Sequence, residues 1–234
     1  MSRKNLSENE LSKKQIISSA VLKIIVIISA VTGTLISALA GSDDFMGGRY
    51  VFMYFTIQSN IALAAICLAG LVMMIKNRSF SDLWYVVKFA GTISITLTGA
   101  VFCFVLAPTM KDAFNLQNTL THVVVPVASV IDFFVTGIQS RIKKINSLWV
   151  TVPPLLYAIY AGIGYVNNWQ FATGYNYPYF FLNWGSPAGA FGFTKDLPYM
   201  GTAWWMIFLL IALIIVGLIY LLVTDLLKKM FLRK

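Results

Sequence analysis

Apolar residues in this chain fall in six long runs divided by short polar stretches, without the alternation of half-buried strands. The runs cover roughly 16–40, 50–75, 83–107, 118–139, 148–166 and 199–227. Each is close to the ~20 residues a helix needs to cross a hydrocarbon core about 30 Å thick. The pattern predicts an all-α integral membrane protein, a single domain of six transmembrane helices over residues 1–234. An even number of crossings returns the chain to the side on which it starts.

Composition agrees with that reading. The 234 residues are 58% hydrophobic and 12% charged, against about 45–50% and about 25% in soluble domains, so a globule in water would lack the polar groups to cover itself. A formal charge of +9 invites a nucleic-acid partner, yet the cations lie between the apolar runs, as loop charges do. Arg3, Lys4, Lys13, Lys14, Lys76, Arg78, Arg141, Lys143, Lys144, Lys228, Lys229, Arg233 and Lys234 fall on one side, thirteen against Arg49, Lys111 and Lys195 on the other. This bias predicts a multi-pass cell-membrane protein with both termini cytoplasmic, and no nucleic acid among its partners. Ala38-Leu39-Ala40 before Gly41 resembles a signal-peptidase site. The apolar run before it exceeds the about 7–15 residues of a signal-peptide core, which predicts an uncleaved first helix.

One histidine and two cysteines are too few for a bis-imidazole haem, a multi-histidine zinc site or a thiolate cluster, and no cofactor or metal is expected. Cys67 and Cys103 lie at depths that differ by roughly 20 Å at 1.5 Å per residue. A disulfide needs α-carbons within about 7 Å, so both are expected to be packing residues. Gly33, Gly99, Gly162 and Gly164 are expected where helices pack closely. The segment 167–198 carries Trp169, Tyr175, Tyr177, Tyr179 and Trp184. Amphipathic rings suit an interfacial anchor, and a long functional loop suits a lid over a cavity. Sequence leaves the two level.

Polar groups inside spans are costly unless paired or facing a wet cavity. Thr56, Ser59 and Asn60 share one face of the second run at i, i+3 and i+4. In the fourth run Asn118 and Thr119 precede His122 by one turn. Thr56 lies six residues below Tyr50, about 9 Å, and His122 four below Asn118, about 6 Å, which predicts a common layer. A hydroxyl level with the one imidazole is what a nucleophile and general base require. Ser59, Asn60 or Asn118 would then orient the substrate or donate to an oxyanion. The same residues also serve as plain hydrogen-bonding glue between membrane helices. Asp132 lies ten residues past His122, about 15 Å deeper, too far to orient it. Lys23 and Lys88 share its depth, and a structural ion pair is expected.

Tyr54-Phe55-Thr56-Ile57-Gln58-Ser59-Asn60, then Asn118 to His122 with Pro126 and Asp132, then Tyr177-Pro178-Tyr179-Phe180-Phe181-Leu182-Asn183 together resemble the bacterial branch of the androgen-induced protein family. That family also contains the androgen-dependent TFPI-regulating protein. The resemblance implies an integral-membrane hydrolase of fatty-acid esters of hydroxy fatty acids, with Thr56 as nucleophile and His122 as its base. It implies a membrane lipid or fatty-acid ester as partner. Apart from the resemblance, the aromatic loop must follow the fifth helix out and return to the sixth, so it is expected to cover the site from outside, with Tyr177 and Tyr179 facing substrate. Phe180 stands where bacterial relatives often have proline, and Asn183 where they often have aspartate. The alternative is a noncatalytic transporter or lipid-binding scaffold that uses the same polar layer to hold a headgroup.

Overall fold

The computed structural model describes residues 12–40, 47–137, 140 and 142–232. Among these there is no β-strand, and six helices are long and apolar enough to cross a membrane, which makes this a multi-pass membrane protein. The first helix is Lys13–Ala40, the second Phe55–Ile75, the third Asp82–Leu106, the fourth Leu116–Gly137, the fifth Lys144–Val166 and the sixth Thr202–Leu232. Of the residues invoked for orientation, Arg3, Lys4, Arg141, Arg233 and Lys234 lie outside the described residues, as do Gly41 and Gln139.

Helix ends follow local chemistry that hydropathy does not register. The second helix starts at Phe55 rather than near Tyr50, because Tyr54 is extended (φ −92°, ψ 142°) and Gly48–Met53 forms a separate 3-10 turn. The Ser81 hydroxyl caps the third helix by accepting from the Trp84 N–H at 3.1 Å. Asn115 caps the fourth through Oδ1, which accepts from the Asn118 N–H at 3.0 Å. The fifth helix begins earlier than its apolar run, as a 3-10 segment Lys144–Thr151 ahead of Pro153 and Pro154. The sixth begins at Thr202, since Tyr199 is left-handed at φ +64°.

The first helix packs on the second and fourth, and the third packs on the second and fourth. The sixth lies at the edge, against the fifth and third. One apolar cluster, including Val26, Leu63, Cys67, Ile95 and Val125, joins the first four helices. Another, including Phe89, Phe133, Val150 and Leu213, joins the last four. Large apolar side chains such as Ile17, Leu68, Leu156 and Ile211 are exposed around the perimeter, as expected where the solvent is lipid. Cys67 and Cys103 are free thiols.

The aromatic segment between the fifth and sixth helices folds into the end of the bundle. Phe171, Tyr179 and Leu182 are buried against Tyr50, Tyr54, Tyr157 and Ala161, and the Tyr54 hydroxyl donates to the Phe171 carbonyl at 2.8 Å. Trp169 and Tyr175 stay exposed and suit the interface. One segment therefore supplies both surface rings and a packed cap.

Candidate active site

His122 sits on an irregular turn. In the fourth helix an α turn Leu116–Thr119 gives way to a π-turn Leu120–Val124 before α geometry resumes at Val125. The Val125 N–H reaches the Leu120 carbonyl, and residue 126 is a proline without an N–H. The donor that would serve the Thr121 carbonyl in an α-helix is thus diverted, and the next one does not exist. Asn60 replaces it, its Nδ2 donating to the Thr121 carbonyl at 3.2 Å and to the Thr56 carbonyl at 2.8 Å. Both acceptors are carbonyls, so the amide nitrogen must face them. Its two hydrogens are then occupied, and Oδ1 is buried without a partner. Asn60 is placed as the bridge between the second and fourth helices, with no N–H free for an oxyanion. The Ser59 hydroxyl lies 3.0 Å from the Thr56 carbonyl and 3.0 Å from the Thr98 hydroxyl.

The His122 ring is 3% exposed. Its Nδ1 is 3.1 Å from the Asn118 carbonyl and 3.0 Å from the Thr121 hydroxyl, which itself donates to the Gln117 carbonyl at 2.8 Å. Both neighbours act as acceptors, which assigns the proton of the neutral ring to Nδ1 and the lone pair to Nε2. Nε2 is buried and has no hydrogen-bond partner. Asn118 contributes its main-chain carbonyl, while its side chain donates to the Ala113 carbonyl at 2.9 Å.

The ring stacks on Phe102, centroids 4.0 Å apart at 21°, and Phe102 opens a second π-turn, Phe102–Leu106, in the third helix. Two π-turns thus meet at one ring pair, and such irregularities cluster at functional sites. Glycines clamp the turn. A β-carbon at Gly33 would come 2.6 Å from Thr121 Cγ2, and one at Gly99 2.9 Å from the His122 carbonyl oxygen. Gly164 permits the approach of Phe171, whereas Gly162 has nothing nearer than 3.9 Å and permits no close packing.

Thr56 lies in the first turn of the second helix, 5% exposed. It lines a partly open cavity of about 70 Å³ together with Thr98, Phe102, Tyr157, Tyr179 and Leu182. No side chain caps this helix at Tyr54. Instead the Tyr179 hydroxyl, brought in by the aromatic segment, is met by the Thr56 hydroxyl and by the main-chain N–H groups of Phe55 and Thr56. Burial pushes that phenol up to about 12, so it is protonated at neutral pH. The Tyr157 hydroxyl donates to the Met53 carbonyl at 3.0 Å.

Asn60 thus brings Thr56 and the His122 turn to one layer, and Phe102 both lines the cavity and stacks on the imidazole. Thr56 and His122 are not hydrogen-bonded, because Nδ1 is taken up locally and Nε2 has no partner. Of the two loop tyrosines expected to face substrate, Tyr179 lines the cavity. Tyr177 is half-buried and stands edge-on to Tyr175, 5.6 Å between centroids, away from the cavity lining. Thr98, Phe102 and Tyr157 escaped the sequence reading. The run Thr92, Ser94, Thr96, Thr98 in the third helix was the available signal for Thr98, and nothing in sequence marked Phe102.

Asp132 lies apart, on the fourth helix in the terminal half of the bundle. Its Oδ1 accepts from Lys23 Nζ at 2.8 Å and from the Ser19 hydroxyl at 2.6 Å, and its Oδ2 accepts from Lys88 Nζ. Lys88 Nζ also lies 3.6 Å from Cys67 Sγ. All three charged side chains are 0% exposed. The expected ion pair is a triad joining the first, third and fourth helices.

No family model, no curated protein and no solved structure matches this chain.

Proposed function

We propose that this protein is an intramembrane hydrolase of lipid esters, in which Thr56 is the nucleophile and His122 the general base. The observation that carries the reading is the imidazole: its proton is held on Nδ1 by acceptors, and a buried, unpartnered Nε2 lone pair lies in the layer of a threonine that lines a cavity. A neutral imidazole with one nitrogen pinned by a carbonyl is the form a general base takes.

In this mechanism Thr56 Oγ1 attacks the ester carbonyl while Nε2 receives its proton, directly after a Thr56 rotamer change or through one water. The imidazolium then gives that proton to the departing alcohol oxygen, leaving an acyl-Thr56 ester. Water, deprotonated by Nε2, attacks the acyl carbon, and the carboxylic acid leaves as Thr56 regains its proton. The oxyanion of each tetrahedral intermediate is stabilised by the Tyr179 hydroxyl and by the N–H groups at the N-terminus of the second helix, where partial positive charge collects. No step uses a metal or cofactor. The resemblance of the three motifs to the androgen-induced protein family supports the same chemistry and suggests fatty-acid esters of hydroxy fatty acids as substrates. The surplus of cations at the terminal end supports a cell-membrane protein with cytoplasmic termini and the site in the outer half of the bilayer.

The test is hydrolysis of p-nitrophenyl butyrate, with covalent labelling by a fluorophosphonate, in purified protein. Thr56→Ala and His122→Ala should each lower the rate by about a hundredfold or more, while Thr56→Ser retains part of the rate and the label. A Thr56→Ala protein that hydrolyses the ester at the parent rate overturns the proposal. It would leave a lipid-binding scaffold, the reading that a large groove beside the site favours.

A further inference from the structure

The cavity at Thr56 is small. A water-sized body needs about 10–15 Å³ of such space, so about 70 Å³ admits roughly five to seven atoms of an ester group and its nearest carbons. A long-chain lipid cannot fit there whole.

Beside it lies a much larger space, a groove of about 680 Å³ between the second, third and fifth helices. Its rim is formed by exposed apolar side chains, among them Leu83, Val87, Trp149 and Leu156, so the groove opens sideways to the hydrocarbon. Along the fifth helix it runs from Asn146 to Tyr160, at least about 21 Å at 1.5 Å per residue. One leaflet of a ~30 Å core is about 15 Å deep, so the groove accommodates one lipid tail at full length. The connection to the Thr56 cavity gives the direction. The Ser94 hydroxyl is turned back onto the Ala90 carbonyl at 2.9 Å, and Asn146 Oδ1 accepts from the Lys143 N–H at 2.8 Å. At the aromatic end the groove is lined by Gln58 and Ser59 and adjoins the cavity that Thr56 lines.

The two spaces share two residues. Phe55 and Tyr157 line both, and their rings meet edge-on with centroids 5.3 Å apart at 62°. We infer that the lateral groove holds the long acyl chain of the ester substrate, carbonyl end at Ser59 and Thr56, and that the Phe55–Tyr157 ring pair is the partition that sets which chain enters the small cavity. The inference rests on the hydrolase reading for the word substrate. The groove itself is testable without it.

Ala90 and Ser94 face the groove away from the reacting groups. Ala90→Phe and Ser94→Phe, each checked for unchanged thermal unfolding so that at least one folded variant is compared, should lower kcat/KM for p-nitrophenyl palmitate by about tenfold or more and leave p-nitrophenyl butyrate within about twofold. In parallel, a palmitate bearing a terminal diazirine should crosslink to the third helix in the parent and in Thr56→Ala, and lose that crosslink in Ala90→Phe. Crosslinking of this kind in a protein that hydrolyses no ester would sustain the groove and sink the hydrolase. Unchanged palmitate turnover in both folded variants, or crosslinks that persist in Ala90→Phe, would overturn the groove and leave the hydrolase standing.

Discussion

Asp132→Asn is expected to be the most destabilising single change in the terminal half of the bundle. The carboxylate serves two ammonium groups, and all three side chains are 0% exposed. Two cations against one anion leave the parent cluster at +1, and the amide raises it to +2 with no counterion. Breaking a buried pair by removing one partner costs about 3–5 kcal/mol, and this substitution strands two partners, so the loss should reach at least that range. Lys23→Met acts oppositely on the charge. It leaves one Asp132–Lys88 pair and a neutral cluster, with Ser19 still donating to Oδ1 at 2.6 Å. What it removes is the charge-assisted bonding of one ammonium, about 1.5–3 kcal/mol for such a hydrogen bond, offset by the loss of the uncompensated charge. The expected cost is therefore smaller than that of Asp132→Asn by about 2 kcal/mol or more. The triple variant Lys23→Met, Lys88→Met, Asp132→Leu should fall within about 2 kcal/mol of the parent, because apolar replacement of a whole buried ionic cluster is often neutral. Reversible unfolding of purified protein in mixed detergent micelles, followed by tryptophan fluorescence, measures all three. Asp132→Asn at parent stability, or Lys23→Met as costly as Asp132→Asn, would refute the charge argument.

Two further outcomes follow from geometry and charge. Gly99→Ala should lower stability by about 1–3 kcal/mol and reduce ester hydrolysis with it, since the new β-carbon would press on the His122 backbone at 2.9 Å, while Gly162→Ala, with nothing inside 3.9 Å, should be neutral or slightly stabilising in the same unfolding assay. Cysteines introduced singly at Lys195 and at Arg78 should react with a membrane-impermeant maleimide from opposite faces, Lys195→Cys in intact cells and Arg78→Cys only after lysis; labelling of Arg78→Cys from outside would reverse the proposed topology.

The number of spans was legible because each apolar run is as long as the bilayer is thick, a signal that survives ignorance of every contact. Helix ends were not legible where one residue decides them: extended Tyr54 and left-handed Tyr199 lie within the apolar runs, and hydropathy carries no mark of their backbone conformation. The common layer of Thr56 and His122 was expected from counting residues along regular helices. It is reached by a different route, since Thr56 stands at the start of its helix and His122 on a π-turn. Asn60 was readable as a polar residue on the right face, but its role depends on a carbonyl freed by Pro126, a consequence of hydrogen-bond register that composition cannot express. Asp132 was paired correctly because an unpaired charge at that depth is so costly that a partner had to exist, and Lys23 and Lys88 were the cations at its level.

The same triad fixes an order of events during synthesis. Lys23 and Asp132 are 109 residues apart, so at about 5–20 residues per second the first helix waits roughly 5 to 20 seconds for its counterion. Through that interval it is a membrane segment carrying an unmatched cation in its terminal half, a penalty that reaches about 2.5–3.5 kcal/mol at a helix centre and is smaller toward the ends. The third helix meets the same delay on a shorter clock, since Lys88 precedes Asp132 by 44 residues. The first three helices are therefore expected to be less firmly seated in the bilayer until the fourth brings Asp132 to both cations. A ribosome stalled before Asp132 should leave a nascent chain that is extractable or degraded, while one stalled after the fourth helix has emerged should leave a chain that stays.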